Sequence, residues 1–366
     1  MVLRLEAERL RNLQPTALDL ESGMTVILGE NAQGKTSLLE AVYLLATGRS
    51  FRTRRIDDVV SWSGGPARVA GEIRGSGGRS RLAVTVEDGE RRLAADGAEQ
   101  EIEAFLGRLD VVDLTAERMR VLRGSPQDRR RFLDRGVVGL RPSFLRELGR
   151  YRRTLVQRNA LLRRGASAAD GELETWDERL AAAAAPLHLE RLAYVERLGR
   201  QVRAIGGELL PHGGPLTLHY RPSPAALGRE PPAGLAAALL DAFRAARRRD
   251  AEVGHTTHGP HRDDLAIELD GVDQGRFGSA GQVRAAMIAL KLAKLSLLHE
   301  RGGEPPVFLM DDFDTDLDEV RASAVAGFLR AGGFQALVAT SKETLVGRLG
   351  VGFGKLRVVG GQAEAG

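Results

Sequence analysis

The segment from Gly29 to Thr36, GENAQGKT, constrains this chain more than any other part of its sequence. It follows an apolar predicted strand, MTVIL, and precedes a predicted helix, SLLEAVYLL. Its two glycines let the backbone wrap around an anion with N–H groups pointing inward, and the helix N-terminus adds a positive dipole end. A strand, a loop of the form G-x-x-x-x-G-K-[ST] and a helix in this order predict a site for nucleotide phosphates.

The residues of this segment have distinct expected roles. The Lys35 ammonium is expected to reach the β- and γ-phosphates of ATP, and the Thr36 hydroxyl to ligate Mg²⁺. Lysine occurs only five times among the 53 basic residues, so a retained lysine suggests that the site needs a compact ammonium. The predicted nucleotide-binding residues of the segment are Gly29, Glu30, Asn31, Ala32, Gln33, Gly34, Lys35 and Thr36.

A second candidate site lies far downstream, where the run PVFLMDD, residues 306–312, predicts a buried strand that ends in two carboxylates. Asp311 is expected to hold Mg²⁺, directly or through water, and Asp312 to orient or deprotonate the attacking water. An apolar strand ending in two acids is a weak signal alone. Together with Lys35 in the phosphate segment, it predicts catalysis of ATP hydrolysis.

A third candidate site is the Gly/Ser loop FGSAGQ, residues 277–282, which opens a predicted helix over 283–299. A second helix N-terminus with small residues is a second anion site. One chain cannot easily bring both sites to one γ-phosphate when each caps its own helix, but two chains arranged head to tail can. We therefore expect an ATP-dependent homodimer in which Ser279, together with Gly281 and Gln282, completes the partner's nucleotide site, with Ser279 among the catalytic residues.

Composition excludes several classes of site. The chain has no cysteine, which removes disulfides, iron–sulfur clusters, thiolate zinc sites and cysteine nucleophiles. The first residues, MVLRLEAERLRNL, carry charges from Arg4 onward and lack the apolar run of a signal peptide. No apolar run is long enough to span a membrane. We therefore expect a soluble, cytoplasmic protein.

The predicted elements form two α/β halves around a mainly helical block. Residues 1–125 and 255–366 are expected to build one α/β ATPase head, and residues 126–254 to form an inserted helical lobe. Turn signals within residues 68–98 predict an antiparallel meander. Pro186 is among the residues expected to punctuate the helical block.

Basic residues are concentrated in this block. Residues 118–164 contain 15 arginines and three acids, whereas the whole chain has a net charge of +4. Such a stretch suggests a surface that faces a polyanion; the alternative is a solvated helix face whose acids come from elsewhere in the chain. With 5% aromatic residues there is no obvious stacking platform for single strands, which favours the backbone of duplex DNA. The candidate DNA-binding residues are Arg129, Arg130, Arg131, Arg152 and Arg153.

This layout resembles the head of ABC-type ATPases. In that resemblance Ser279 belongs to the signature loop, Asp316–Asp318 to the D-loop, and Thr340 to the switch that senses the γ-phosphate, so Thr340 joins the expected nucleotide contacts. The distance in sequence between the phosphate segment and Ser279 disfavours transport ATPases. A head split by a long helical insert resembles the SMC and RecF class. Because the insert is too short for a long coiled coil and lacks a persistent heptad pattern, RecF is favoured within that class.

Five stretches in particular resemble the RecF family; they are GRSFRT (48–53), GSP (124–126), RRRFLD (129–134), QRNALL (157–162) and GPHRDD (259–264). The resemblance implies an ATP-dependent clamp that binds duplex DNA at single-strand gaps in recombinational repair and replication restart. It also implies work with RecO and RecR to load recombinase, ATP-driven dimerisation, and slow, DNA-stimulated hydrolysis.

Other interpretations remain open at this stage. A small-molecule P-loop kinase or another ABC-type ATPase would share the phosphate segment, but a kinase would not need the Ser279 loop or the basic lobe. His255, His258 and His261 recur every three residues, but the Gly259–Pro260 pair breaks any helix between them, so a metal cluster is not expected. Trp62 and Trp176 are expected to be packing residues.

Overall fold

The computed structural model of the 366-residue chain consists of two compact units. The first comprises residues 1–119, 205–211 and 284–366, and the second comprises residues 120–204 and 212–283. The structure describes residues 1–75, 77–115, 120–164, 170–209, 214–229, 231–311, 319–343 and 352–365.

The boundaries of these units differ from the division expected from sequence. The inserted lobe was expected to span residues 126–254, whereas the second unit begins at residue 120 and continues to residue 283. Residues 255–283 thus make their contacts within the second unit. One reason is that residues 264–269 form a strand that pairs with residues 216–221, a pairing that the sequence pattern does not predict. The three-part division of the chain into domains stays a prediction.

Fifteen strands and ten helices occur in the described residues. The strands are β1 (Val2–Glu8), β2 (Thr16–Asp19), β3 (Met24–Leu28), β4 (Ala67–Gly75), β5 (Gly78–Glu87), β6 (Glu90–Ala95), β7 (Ala98–Glu99), β8 (Val111–Leu114), β9 (Leu216–Arg221), β10 (Asp264–Leu269), β11 (Val272–Asp273), β12 (Val307–Met310), β13 (Ala336–Thr340), β14 (Gly354–Val359) and β15 (Gln362–Ala365). The helices are α1 (Lys35–Thr47), α2 (Ile102–Phe105), α3 (Arg120–Arg123), α4 (Pro126–Leu140), α5 (Phe144–Arg163), α6 (Asp170–Leu209), α7 (Leu235–Val253), α8 (Gln274–Phe277), α9 (Ala280–Glu300) and α10 (Glu319–Ala331). Two 3₁₀ turns cover Ile56–Val59 and Ala225–Arg229.

The first unit contains two six-stranded sheets. One is antiparallel, in the order β2-β1-β4-β5-β6-β7, and it confirms the meander predicted from the turn signals. The other has the order β15-β14-β3-β13-β12-β8, with all neighbours parallel except β15 and β14. Strands β3, β8, β12 and β13 of this sheet are short and buried throughout, as expected when both faces of a sheet are covered.

Helix α1 is enclosed by both sheets. All its residues from Ser37 to Ala46 are buried, and they contact β12 and β13 of the parallel sheet and β4 and β5 of the antiparallel sheet. Apart from Ser37, Glu40 and the hydroxyl of Tyr43, these buried side chains are apolar, and a helix that is apolar on all sides must be enclosed. The core therefore fixes α1 together with the loop that precedes it.

The second unit is mainly helical. It holds α3 to α5, α7, most of α6, and the antiparallel sheet β11-β10-β9. Strand β10 pairs with β9 over Asp264–Leu269 and Leu216–Arg221, which ties the residues after 255 to the helical block. Pro186 does not end a helix, since α6 continues through it for 40 residues in all. None of the helices in the described part of the chain is long and apolar enough to cross a membrane.

The two tryptophans behave differently. Trp176 is half-buried and packs against Leu161, Leu162 and Leu173, as expected. Trp62 is fully exposed, so the expectation that it packs was wrong. It lies in the turn between the first 3₁₀ segment and β4, where polar and glycine neighbours supply no apolar surface to cover it.

Candidate nucleotide-binding site

The predicted phosphate loop connects the end of β3 to the start of α1. A Cβ atom at Gly29 would lie 2.4 Å from the carbonyl oxygen of Val358, so only glycine fits there. Gly34 has a φ of 116° and caps α1, a conformation that L side chains disfavour. The first N–H groups of a helix lack partners within it and are the donors that bind phosphate at such sites. The tight loop thus presents α1 end-on to a ligand.

The ammonium of Lys35 lies inside the loop. The residue is 5% exposed, and its Nζ donates to the carbonyl oxygens of Gly29 at 2.7 Å and Glu30 at 2.9 Å. An ammonium has three donors, and the third has no acceptor among the described residues. By contrast Glu30, Asn31 and Ala32 are exposed and form the outer rim of the loop.

Thr36 and Asp311 are in direct contact. The Thr36 hydroxyl donates to Asp311 Oδ2 at 2.8 Å, although the two residues are 275 positions apart. Asp311 is buried and follows the last residue of β12. The two oxygen ligands predicted for Mg²⁺ are therefore adjacent. Asp312 and the 316–318 segment lie outside the described residues, so their expected roles stay predictions.

Strand register explains why these groups meet. In the parallel sheet Leu28 pairs with Thr340, and Met310 pairs with Val338 and with Leu114. The carboxyl ends of β3, β13, β12 and β8 therefore share one edge, which is where ligands bind in open α/β sheets. Thr340, wholly buried at the end of β13, accepts from the Lys342 backbone N–H at 3.1 Å and lies at the same edge.

Two contacts that support the loop were not predicted from sequence, one made by Asn12 and one by Gln33. Asn12 donates through Nδ2 to the carbonyl oxygen of Ala32 at 2.9 Å and accepts from the Ser37 hydroxyl at 2.8 Å. It thereby joins the crest of the loop, where Ala32 has a φ of 65°, to the first turn of α1. Gln33 accepts at Oε1 from the N–H of Gly360 at 2.5 Å, which links the loop to the β14–β15 turn. No spacing rule connects these segments; only their contacts do.

The Ser279 loop belongs to the second unit, whereas Lys35, Thr36 and Asp311 belong to the first. Ser279 and Gln282 cap α9 reciprocally: the Ser279 N–H donates to Gln282 Oε1 at 2.9 Å, and the Gln282 N–H donates to Ser279 Oγ at 3.2 Å. Arg123 donates to the carbonyl oxygen of Gly278 at 3.1 Å and steadies the loop from α3. Ser279, Gly281 and Gln282 are all exposed, and so are accessible to another molecule.

Comparison with known proteins agrees with this geometry. The family model of the RecF/RecN/SMC N-terminal domain matches residues 1–354. The DNA replication and repair protein RecF of Myxococcus xanthus is 35% identical over 348 residues, which cover 94% of this chain and 92% of that protein. RecF of Halalkalibacterium halodurans is 32% identical and covers 87% of both chains. The chain belongs to the RecF family.

Two solved structures have the same fold as this chain. A structure of the recombination mediator RecF with ATP, described as part of the RecFOR pathway, superimposes with a TM-score of 0.89 at 27% identity, and covers 100% of this chain and 97% of that one. An Smc head bound to the C-terminal winged-helix domain of ScpA has a TM-score of 0.58 at 16% identity, covers 100% of this chain and 96% of that one, and shows the fold alone. The expected α/β ABC-type ATPase head fold is confirmed.

Three of the arginines predicted to bind DNA have partners within the RecF-family chain itself. Arg129 forms a bidentate salt bridge with the Asp264 carboxylate, at 2.6 and 2.8 Å. Arg130 donates to the backbone carbonyl oxygen of Asp263 at 2.8 Å. Arg131 lies 3.5 Å from Asp128. Of these three, only Arg129 is balanced by an acid distant in sequence. A DNA-binding role for these three arginines stays a prediction, but Arg129 and Arg130 already link α4 to β10 and the turn before it.

The other two candidates lie on the outer face of α5. Arg152 and Arg153 are exposed, and the nearest acid to Arg152 is Asp134 at 4.0 Å. Arg150 and Arg153 have no ion-pair partner among the described residues. Of the predicted DNA-binding arginines, these two are therefore the accessible ones, since Arg129, Arg130 and Arg131 are only partly exposed.

The three histidines have separate contacts, and the described residues contain no cluster that could hold a metal ion. His261 Nδ1 lies 2.6 Å from the Tyr151 hydroxyl and Nε2 lies 3.0 Å from the carbonyl oxygen of Thr256. Nε2 must donate to the carbonyl, so in the neutral ring Nδ1 accepts from the Tyr151 hydroxyl. Burial lowers the pKa of His261 to about 4, consistent with that form. This stretch, 259–264, is internal to the second unit.

Proposed function

We propose that the chain is an ATP-switched DNA clamp of recombinational repair. Two copies close on ATP, bind duplex DNA at a single-strand gap, and release it after slow, DNA-stimulated hydrolysis. The observation that carries this proposal is the contact between Thr36 and Asp311, 2.8 Å, at the carboxyl edge of the parallel sheet. It joins the phosphate loop and the carboxylate strand into one site, as an ATPase requires and a simple phosphate-binding loop does not.

The phosphate loop supplies the binding energy for the nucleotide. Lys35 brings a point charge to the β- and γ-phosphates, while the N-terminus of α1 adds its unpaired N–H groups and its dipole. The two carbonyls that hold Lys35, at 2.7 and 2.9 Å, keep the ammonium within the loop and can yield to phosphate oxygens. The RecF structure similar to this chain was solved with ATP, which supports ATP as the ligand here.

The residues present fit Mg²⁺. A hydroxyl and a carboxylate, Thr36 and Asp311, lie side by side, and hard oxygen ligands of this kind suit that ion. When bound, the ion neutralises charge on the β- and γ-phosphates. Asp311 holds the ligand set in place from β12, and Asp312 is proposed to position the attacking water.

Ser279 is proposed to complete the partner's site. Its Oγ accepts from the Gln282 backbone, which leaves the hydroxyl hydrogen available to donate to a γ-phosphate oxygen. The N-terminus of α9, exposed around Gly281, adds its dipole. Because the loop is exposed and capped, it is preformed for a ligand carried by a second copy.

DNA is proposed to lie along the outer face of α5. Arg146, Arg150 and Arg153 recur at helical spacing on this exposed face, with Arg152 beside them. Contacts of this kind go to phosphates, so binding is expected to depend on salt and not on sequence. Partners analogous to RecO and RecR, recombinase loading and a cytoplasmic location follow from the family relationship and remain part of the proposal.

Sedimentation of the chain with gapped duplex DNA, with and without ATP, tests the proposal. We expect a dimer on DNA only when ATP is present, and a monomer with weak DNA binding otherwise. The variant Lys35→Arg is expected to lose the ATP-dependent dimer. Its matched control is Lys342→Arg, the same substitution at an exposed lysine. Equal DNA binding with and without ATP, by a chain that stays monomeric throughout, would refute the proposal.

A further inference from the structure

The segment that follows α1 is a second concentration of positive charge. Residues 49–55, RSFRTRR, here called the arginine loop, carry four arginines and no acid. All four arginines are exposed. Phe51 is the only buried residue of the loop, 6% exposed, and its ring packs edge-on against Tyr43 of α1 with centroids 5.4 Å apart. The loop is therefore anchored at its centre and charged on its outside.

The buried carboxylate of Glu40 determines the shape of this loop from α1. Glu40 is completely buried, accepts the hydroxyl hydrogen of Ser50 at Oε1, and lies 3.5 Å from Arg52 at Oε2. The Ser50 oxygen in turn accepts the backbone N–H groups of Arg52 at 2.9 Å and Thr53 at 3.1 Å. The backbone of the loop is thus folded around one hydroxyl, and that hydroxyl is held by Glu40.

Two further contacts hold the base of the loop. Arg11 pairs with both oxygens of Glu40 at 2.9 Å, which compensates the buried charge. The Thr53 hydroxyl donates to the carboxylate of Asp58, whose carbonyl oxygen also accepts from Arg11. Because both ends of the loop are tied to buried or paired groups, little conformational freedom remains to be lost when a ligand binds.

Two arginines of the loop, Arg49 and Arg55, add positive charge beside a further arginine, Arg91. Arg91 donates to the carbonyl oxygen of Gly48 at 2.7 Å, and burial together with repulsion from Arg49 lowers the pKa of Arg91. Arg49 and Arg55 have no ion-pair partner among the described residues. A polyanion at this surface would relieve the repulsion.

We infer that the arginine loop is a docking surface for the phosphates of duplex DNA, and that Glu40 and Ser50 are positioning residues that hold it in its binding form. The inference rests on the proposed DNA-binding function. Guanidinium forks match phosphate oxygens, and the loop's one aromatic ring is buried, which disfavours stacking on unpaired bases. Since Glu40 and Lys35 belong to the same helix, α1 presents the nucleotide site at its start and the DNA surface at its end.

The charge in the loop is tested with the double variant Arg49→Ala/Arg55→Ala in the full chain with ATP. DNA affinity is measured on a fluorescent gapped duplex across salt concentrations. Each lost phosphate contact reduces the slope of log K against log salt by about 0.9, so we expect a decrease of about 1.8. The matched control is Arg79→Ala/Arg248→Ala, which removes two exposed arginines elsewhere. Nucleotide binding should be unchanged in both.

The outcomes distinguish a failure of the proposed DNA-binding function from a failure of the inference about the arginine loop. If the wild-type chain does not bind DNA with ATP, the proposed function fails. If the wild type binds and the loop variant keeps the slope of the control, only the inference about the arginine loop is refuted.

Ser50→Ala tests the positioning role without disturbing the buried Glu40–Arg11 pair. It should weaken DNA binding about three- to tenfold, because the loop must then be ordered on binding, while the salt slope stays the same. Ser50→Thr keeps the hydroxyl and should restore the affinity. Wild-type affinity in Ser50→Ala, or a changed slope with no rescue by threonine, would overturn the role of Ser50 as a positioning residue.

Discussion

The Thr36 hydroxyl and the Asp311 carboxylate, 275 residues apart in sequence, share a 2.8 Å hydrogen bond. Thr36 lies in the first turn of α1, which both sheets enclose, and Asp311 follows β12 inside the parallel sheet. Neither can move without disturbing the core. The oxygen ligands proposed for Mg²⁺ are thus preorganised, which is what a site with reproducible metal geometry requires.

Asp311→Asn should weaken the affinity of this site for Mg²⁺ specifically. We expect the Mg²⁺ concentration needed for half-maximal ATPase activity to rise about 10- to 100-fold, because a carboxylate is replaced by a neutral amide. Metal-free nucleotide binding should persist. Titration of ATPase activity with Mg²⁺ is the measurement, with the exposed Asp19→Asn as the control. An unchanged Mg²⁺ midpoint would remove Asp311 from the metal site.

Lys35→Arg should abolish ATP-driven dimerisation. Lys35 is buried and its ammonium fits between two loop carbonyls at 2.7 and 2.9 Å, where a planar guanidinium has no room. Sedimentation velocity with ATP measures the effect. Lys342→Arg, at an exposed position, should dimerise normally. Normal dimerisation by the Lys35 variant would contradict the role assigned to it.

Arg158→Met should destabilise the second unit. Arg158 is wholly buried and pairs with Asp177 at 2.6 Å and Asp250 at 2.7 Å. Its loss leaves the buried Asp250 carboxylate without its cation and Asp177 with Arg247 alone. Removing one partner of a buried pair costs about 3–5 kcal/mol, whereas the exposed Arg164 is expected to tolerate the same change within about 0.5 kcal/mol. Urea unfolding of both variants tests this, and similar midpoints would show that the network contributes little.

His261→Gln should make the chain less sensitive to acid. The folded-state pKa of His261, about 4, lies below its ordinary 6.5, so between these values the unfolded chain binds more protons. The contribution is complete above about pH 6.5 and is lost as the pH falls toward 4, by roughly 3 kcal/mol in all. Stability measured across this range should fall less in the variant. The exposed His219→Gln should follow the wild type instead.

Much of the nucleotide site was predictable because its signals are local. The phosphate loop, the carboxylate strand and the Ser279 loop each combine a short motif with a strand or helix that the apolar pattern predicts. The contribution of Asn12 and Glu40 was not predictable in this way. Each acts through side chains or carbonyls of other elements, and a polar residue that binds another segment looks the same in sequence as one on the surface.

The position of the accessible positive charge was predicted less well than the phosphate site. The arginines of residues 118–164 suggested one basic surface, yet Arg129 is neutralised by Asp264 and Arg158 is buried among acids. In contrast, the sequence distinguishes the arginine loop only by its resemblance to the RecF family. Net charge in a window counts residues along the chain, while the electrostatic potential at a surface depends on which acids fold against them.

The sequence by itself determined the phosphate loop, the alternation of strands and helices, and membership of an ABC-type ATPase class, since these depend on local spacing. Only the tertiary structure decided which strand ends share an edge, which arginines remain exposed, and how Glu40 shapes the loop after α1. The shared edge depends on pairings between residues hundreds of positions apart, such as Thr36 and Asp311, and the others depend on side chains of separate elements that meet only in the fold. Such pairings are selected by the packing of the whole core, where α1 fits between two sheets, and no short stretch of sequence contains that information.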